Sequence, residues 1–481
     1  MFKRISAIMC TIIMVIALVG CGSTSREIVY LTLSTEDSAA ILAAAGITLP
    51  DVDEAEGAGT TVKWFAWYDP FNNYSEDEIV NTGYYTFTEK YGSSIDWIET
   101  NYFDRFDDLA NLILSSKSPD MYPAGANATA VYPMKCIKGT FVAVDDYIDY
   151  TNPLWSGVAE TADYFVLGGE HYAIITDLTY NYVVSYNRRV IEEWGFDDPA
   201  ELYYNNEWTW DVFYEMCLDF SDGDENRYAL DGYSYQCGLI DSTGQQILQI
   251  EDGVFYSNLD SPEIERVQDL IYNLVKNDCT YHEGDNYWAL RTKGGAQFGA
   301  GIADGLCLFY IIGTSAFTMS VEEITPLWGD VTEGEVMFCP IPRDSNGDGN
   351  YYLSSFPDGY MLVTGGTNHA GAALLAACER FKIIDPTVID IDQKQLKEVY
   401  LWTDEMLAMD DICYELAASH QIMDITGDLP EGLDDALGAI SNGITRDKSP
   451  STWAQLKETY KDKIEYYIAE LNDQIAEYNN Q

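Results

Sequence analysis

Positive charge is what this sequence has least of. Only 26 Lys and Arg stand against 79 Asp and Glu, a formal net charge of −53 at pH 7. Such a surface repels polyanions, so nucleic acid is excluded as a partner, and neutral or cationic ligands are favoured over anions. Histidine is nearly as scarce. His171, His282, His369 and His420 are scattered, and each reads as structural rather than catalytic. No HExxH, GxSxG, P-loop or GxGxxG pattern occurs, so the usual metalloprotease, serine-hydrolase and nucleotide signatures are missing. Ten Cys are present but no CxxC, and from Cys136 onward neighbouring Cys lie 20 or more residues apart. That spacing supports neither a zinc cluster nor a thioredoxin-type pair, and fits buried free thiols better than disulfides. No metal and no cofactor is expected.

Long apolar runs are also missing beyond the N-terminus. The best candidate, "GLCLFYIIGTSAFTM" at 305–319, is bracketed by Asp304 and Glu322 and is too short to span a bilayer. It reads as a buried strand, "LCLFYII", with a turn at Gly313.

What is present begins with "MFKRISAIMCTIIMVIALVGC". Lys3 and Arg4 precede an apolar stretch from Ile5 to Val19, broken only by Ser6 and Thr11. That is the layout of a secretory signal. Its end, Leu18-Val19-Gly20-Cys21, resembles a bacterial lipobox. The resemblance implies cleavage of residues 1–20, acylation of Cys21 and a lipid anchor on the outer face of the cell membrane. Residues 21–60, rich in Ser, Thr, Ala, Gly and acids, read as a lipidated tether, with a short helix possible in "SAAILAAAGI".

The remaining length exceeds one ordinary core, so two domains are expected. At 47% hydrophobic and 14% aromatic, disorder is excluded. "TVKWFAWYDP" reads as a strand, "EIVNTGYYTFTEKYG" as a helix closing at Gly92, and "SIDWIET" as a second strand. "YFDRFDDLANLILSSKSP" reads as a helix with Phe103, Phe106, Leu109, Leu112 and Ile113 on one face, and "PDMYPAG" as a short buried strand and turn. This alternation argues an α/β domain with a mainly parallel sheet. A helix from Arg188 stops at Gly195, Asn368 caps an Ala-rich helix, and Thr452 caps one long final helix. Three Trp crowd "EEWGFDDPAELYYNNEWTWDVFYEMC". Thr209 is the expected N-cap with Asp211 in the first turn; Trp210 and Trp194 are expected to cover helix ends, and Trp208 is left open.

In this order the pieces resemble the extracellular solute-binding proteins of carbohydrate ABC importers, relatives of maltose-binding protein. "FDDLANLILSSKSPDMYPAG", "YAIITDLTYNYVVSYNRRVIEEWGF", "EWTWDVFYEMC" and "DGYMLVTGGTNHAGAALLAACERF" carry the likeness over roughly residues 60 to 480. It departs where the family often has a Trp after a "GxAAM" strand; here Phe309 and Tyr310 stand. The resemblance implies an α/β, two-lobe, type II periplasmic-binding-protein-like fold with hinge crossings. Residues 61–178 would begin lobe 1, 179–357 lobe 2, 358–405 would return to lobe 1, and 406–481 would add C-terminal helices mainly to lobe 2. It also implies a monomer that delivers a neutral solute, a sugar or oligosaccharide, to a membrane permease without catalysis.

Strand ends face the crevice in open α/β sheets. That rule nominates Trp67, Tyr68 and Asp69, then Asp120 and Tyr122. The crossing "ITDLTYN" offers Asp177 and Tyr180, and Asp358, Tyr310 and Trp288 complete the candidate ligand-binding set. Each of these residue types also has a core or turn role. "DSNGDGN" matches half of a calcium loop, but the twelfth position is Ser355 rather than Glu, so a polar turn is expected. Two other functions stay open: a surface glycan-capturing lipoprotein without a transporter, and a glycoside hydrolase, which needs only two carboxylates on one cleft.

Overall fold

A computed structural model describes residues 36–68, 82–123, 131–231, 234–281, 301–445 and 450–480. Its strands are β1 (Thr61–Ala66), β2 (Ser94–Glu99), β3 (Met121–Pro123), β4 (Phe141–Val142), β5 (Val166–Leu167), β6 (Glu170–His171), β7 (Ile174–Tyr180), β8 (Val183–Asn187), β9 (Tyr228–Asp231), β10 (Leu248–Glu251), β11 (Val254–Ser257), β12 (Cys307–Ile312), β13 (Val336–Cys339) and β14 (Ser355–Val363). β5–β6 and β10–β11 are isolated hairpins.

The other strands form two sheets, one per lobe. Lobe 1 has the order β2-β1-β3-β14-β4, and β7 pairs with β14. β1 runs parallel to β2 and β3, whereas β14 is antiparallel to β3, β4 and β7. The mainly parallel sheet expected for this domain is therefore mixed, because the chain re-enters lobe 1 from lobe 2 and must run the opposite way. Lobe 2 has the order β13-β8-β12-β9. Its core is aromatic: Phe309 of β12 stacks on Phe213 at 5.3 Å and meets Trp208 edge-on at 5.8 Å.

Two strands carry the chain between the lobes. β7 leads through Asn181 and Tyr182 into β8, and β14 runs back. Val399–Thr403 links the helices Pro386–Glu398 and Asp404–Ser419. The two crossing strands pair with each other, Tyr180 opposite Ser355 and Asp177 opposite Asp358, with a shift in register before Gly359. A Cβ on Gly359 would stand 2.1 Å from the Ile174 carbonyl oxygen, so only glycine fits where the hinge strands close up.

Capping chemistry sets the helix ends. Asn187 accepts from Val190 N–H to open Arg188–Trp194, and Gly195 at φ +71° closes it. Thr209 accepts from Val212 N–H ahead of Trp210–Phe220, and Asn368 from Gly371 N–H ahead of His369–Ile383. Thr452 forms a capping box with Gln455 at the start of the final helix, Trp453–Asn479. That helix is about 40 Å long at 1.5 Å per residue. It begins on lobe 2, where Asn472 pairs with both backbone groups of Phe255. Its last turn reaches lobe 1, where Asn479 accepts from Gly168 N–H at 2.7 Å.

Two expected elements differ. The helix after β2 starts at Arg105, so Phe103 lies outside it and is 90% exposed instead of buried. The expected tether is docked from residue 36 on. A helix at Glu36–Ala44 buries Ser38, whose hydroxyl donates to Asp385 at 2.5 Å, and the Pro50 carbonyl accepts from the Tyr91 hydroxyl at 2.8 Å. Gly57 packs so closely on Gly371 that a Cβ would meet its Cα at 2.5 Å. Among the described residues no helix is long and apolar enough to cross a membrane. All eight described Cys are free.

Candidate ligand-binding cleft

Parallel β1, β2 and β3 all end at the edge of lobe 1 where β14 arrives from the hinge. The described residues that follow β1 and β2 therefore lie at the end of the sheet that adjoins the hinge. Two groups of side chains meet along this edge.

The first is aromatic. Trp67 touches Tyr68 at 5.3 Å, Tyr102 at 5.4 Å and Tyr122 at 6.2 Å between ring centroids. The buried Arg105 guanidinium lies over Tyr102 at 3.9 Å and over Phe106 at 4.3 Å, and its Nε donates to the Tyr122 hydroxyl at 3.1 Å. A cation sandwiched between ring faces fixes the cluster.

The second group is acidic. Asp358 is solvent-exposed yet ringed by protein, as on the floor of a cleft. Desolvation, followed by the charge of Asp177, pushes its carboxyl up to about 6. Asp177 is raised by burial, with the nearby Arg380 pulling the other way. Tyr68 leans on the same group: desolvation and then Asp358 push its hydroxyl up. Arg380 is held by three carbonyls, those of Leu154, Ser156 and Thr176.

Beside the hinge, on the lobe 2 side, is a cavity of about 450 Å³. One wall is the hinge itself, Asn181 and Tyr182 with Ser355, Phe356 and Pro357. The other walls come from the helices Ser234–Asp241 and Glu431–Thr445 and from Asp424 and Thr426. Asp241, Asp424 and Asp434 line it, and among the described residues no Lys, Arg or His does. Asp241 is 3% exposed; desolvation and then Asp424 push its carboxyl up to about 8. At neutral pH it therefore holds its proton and is a hydrogen-bond donor as well as an acceptor. Apolar surface, amides and acids without a cation suit a polyhydroxylated, uncharged solute.

No family description matches this chain, and no curated protein matches it in sequence. Solved structures do. An ABC substrate-binding protein from Listeria monocytogenes, in complex with cycloalternan, superposes with a TM-score of 0.59 at 14% identity, over 85% of this chain and 99% of that one. The galacto-N-biose/lacto-N-biose I-binding protein of an ABC transporter from Bifidobacterium longum gives 0.60 at 12% identity, over 87% and 98%. The cyclic α-maltosyl-1,6-maltose-binding protein from Arthrobacter globiformis gives 0.60 at 12%, over 85% and 98%. The chain has the type II solute-binding-protein fold.

In that fold the nominated residues separate. Trp67, Tyr68, Asp177 and Asp358 meet on the interlobe edge. Asp120 does not. It is fully buried, one oxygen accepts from Lys63 N–H at 2.8 Å, and the other accepts from Thr367 and Asn368 N–H at 2.7 and 2.8 Å. It braces three segments of lobe 1 and has no surface for a solute. Tyr122 is fully buried beneath Trp67, so it supports the aromatic cluster from below. Tyr180 points away from the cavity: its hydroxyl donates to Asp410 and lies 3.0 Å from Thr314 Oγ1, tying the hinge to lobe 2. Tyr310, 3% exposed and edge-on to Trp328, belongs to the lobe 2 core. Asp69, Trp288 and Cys21 lie outside the described residues.

The Trp cluster is structural. Trp208 is fully buried and donates to the Pro340 carbonyl at 2.9 Å, Trp210 donates to Ser242, and Trp194 stacks on Phe196 under Arg227. In "DSNGDGN", Asp344 spends its oxygens on Arg266 and on Asn346 N–H, which makes the loop a polar turn. Residues the sequence did not nominate also enter these groups: Tyr182, Asp241, Asp424 and Asp434 line the cavity, and Tyr102 and Phe103 extend the aromatic row from Trp67. The strand-end rule that found Trp67 would have found Tyr102 and Phe103 after β2. Asp241 ends one helix and Asp434 lies in the first turn of another, in an acid-rich chain, and neither carried such a signal.

Proposed function

We propose that the protein is the substrate-binding component of an ABC importer: it captures a neutral sugar or oligosaccharide between its lobes and passes it to a membrane permease unaltered. The observation that carries this reading is the shared wall of the cavity. Asn181, Tyr182 and Ser355–Pro357 belong both to the cavity and to the strands that join the lobes. A solute seated there touches the residues whose φ and ψ would change on closure, so binding and domain movement are coupled by contact. Carbohydrate is favoured because exposed rings match the apolar faces of a sugar, and uncharged or protonated groups match its hydroxyls. The solved neighbours with bound cycloalternan, lacto-N-biose and maltose support that class. The N-terminal sequence supports export and acylation at Cys21, which would hold the protein on the outer face of the cell membrane.

Calorimetric titration against a glycan panel, with solution scattering on the same samples, tests the reading. Saturable binding at micromolar affinity or tighter, about −8 kcal/mol, should come with compaction, and the sugar should be recovered intact. A cleaved sugar, or no binding below millimolar concentration, would falsify it.

A further inference from the structure

Lobe 1 carries an aromatic edge of its own, outside the cavity at the hinge. Reading outward along the sheet, Asp358 stands on β14, Trp67 and Tyr68 follow β1, and Tyr102 and Phe103 follow β2. Three strand spacings separate β14 from β2, about 14 Å at the usual distance between neighbouring strands. Each ring in this row touches the next edge-to-face: Tyr68 on Trp67 at 5.3 Å, Trp67 on Tyr102 at 5.4 Å, Tyr102 on Phe103 at 5.7 Å.

The outer end of the row is fixed in place. The Asn101 side chain accepts from Phe103 N–H at 3.0 Å and Asp104 N–H at 2.9 Å, which locks the turn. Arg105 clamps the Tyr102 ring from the other side. Phe103 nevertheless remains 90% exposed. A lone exposed apolar residue calls for no explanation. A rigid, exposed ring that ends a continuous row leading to a candidate binding floor is a different case, because order without burial is what a preorganised contact surface requires.

We infer that Tyr102 and Phe103 form a distal sugar subsite and that the solute is an oligosaccharide rather than a monosaccharide. This rests on the carbohydrate reading above. A single pyranose on Trp67 or Tyr68 leaves the rim uncovered. Only a chain of sugars running outward along the edge reaches it, and its last ring lays a C–H face on Phe103.

The test is calorimetry with the mono-, di-, tri- and tetrasaccharides of one series that the wild-type protein binds, on wild type, Phe103→Ala and Phe103→Tyr. Affinity should rise with chain length. Phe103→Ala should weaken the longest sugars about tenfold, leave the monosaccharide within about twofold, and Phe103→Tyr should restore the loss. Phe103 is exposed, so neither variant threatens folding. Affinity independent of chain length, or a Phe103→Ala effect equal for all lengths or absent, overturns the subsite and leaves the carbohydrate reading standing. So does unchanged binding with impaired uptake in cells, which would make Phe103 a permease contact. Wild-type protein that binds no sugar of any length sinks both.

Discussion

Asp177 on β7 and Asp358 on β14 are directly opposed across the two strands that join the lobes. Like charges placed so are unfavourable, by up to about 1 kcal/mol. Arg380 relieves Asp177, but Asp358 is left with a carboxyl held up at about 6, chiefly by desolvation and then by Asp177. The strain sits in the hinge and beside Tyr68, where a solute's hydroxyl protons would relieve it.

The first prediction concerns Asp358→Asn. A carboxyl whose pKa is higher folded than unfolded binds its proton more readily in the folded state. Stability therefore falls as pH rises from about 4, the unfolded value, to about 6, and is level above that. The variant should match wild type near pH 4 and melt higher at pH 7. Thermal melts across that range check it; a variant less stable than wild type at pH 7 would show that the opposed pair is not repulsive.

Asp120→Ala should fail for a different reason. Three backbone N–H groups, from Lys63, Thr367 and Asn368, would lose their acceptor inside the core. Each unsatisfied donor costs about 1–3 kcal/mol. Denaturant unfolding should show a loss of several kcal/mol. At temperatures where the variant stays folded, sugar affinity should equal that of wild type, because Asp120 reaches no solute.

Gly57→Ala tests the docked N-terminal segment. Gly57 has φ +87°, and an added Cβ would stand 2.5 Å from Gly371 backbone atoms. Overpacking of this kind costs about 1–3 kcal/mol, and the positive φ adds to it. The expected result is a lower melting temperature together with faster amide exchange in the helix Glu36–Ala44. If residues 36–60 were a free tether, neither would change.

Much of the fold was legible because it is written in local chemistry. The caps at Thr209, Asn368 and Thr452 and the stop at Gly195 are single-residue decisions that hydrogen bonding and φ settle within one turn. The antiparallel entry of β14 was not legible, since strand direction depends on where the chain has been rather than on its residues. The site divided along the same line. Trp67 and Tyr68 follow from the end of a strand. Asp120 stands just before β3 and Tyr122 within it, and both turn inward, to backbone amides and to Arg105; sequence does not encode which way a side chain on so short a strand turns. Asp241 takes its character from burial beside Asp424, nearly two hundred residues away in the chain.

That burial gives the last prediction. Asp241 titrates at about 8 in the folded protein, against 3.8 for an ordinary aspartate. Between about pH 4 and 8 the folded chain holds a proton that the unfolded chain has released, so Asp241 makes stability decline as pH rises through that window. Asp241→Asn copies the neutral acid and should remove this part of the slope, matching wild type near pH 4 and exceeding it increasingly toward pH 8. Ligand binding should carry the same signature in a simpler form. Wild type loses a donor, and gains a charge beside Asp424, once Asp241 ionises, so its affinity for a neutral sugar should weaken above pH 8. The Asn variant keeps an N–H donor and should bind with little change over the same range. Parallel affinity profiles for the two proteins from pH 6 to 9 would mean that Asp241 does not present a proton to the cavity, and the uncharged character assigned to that wall would have to come from elsewhere.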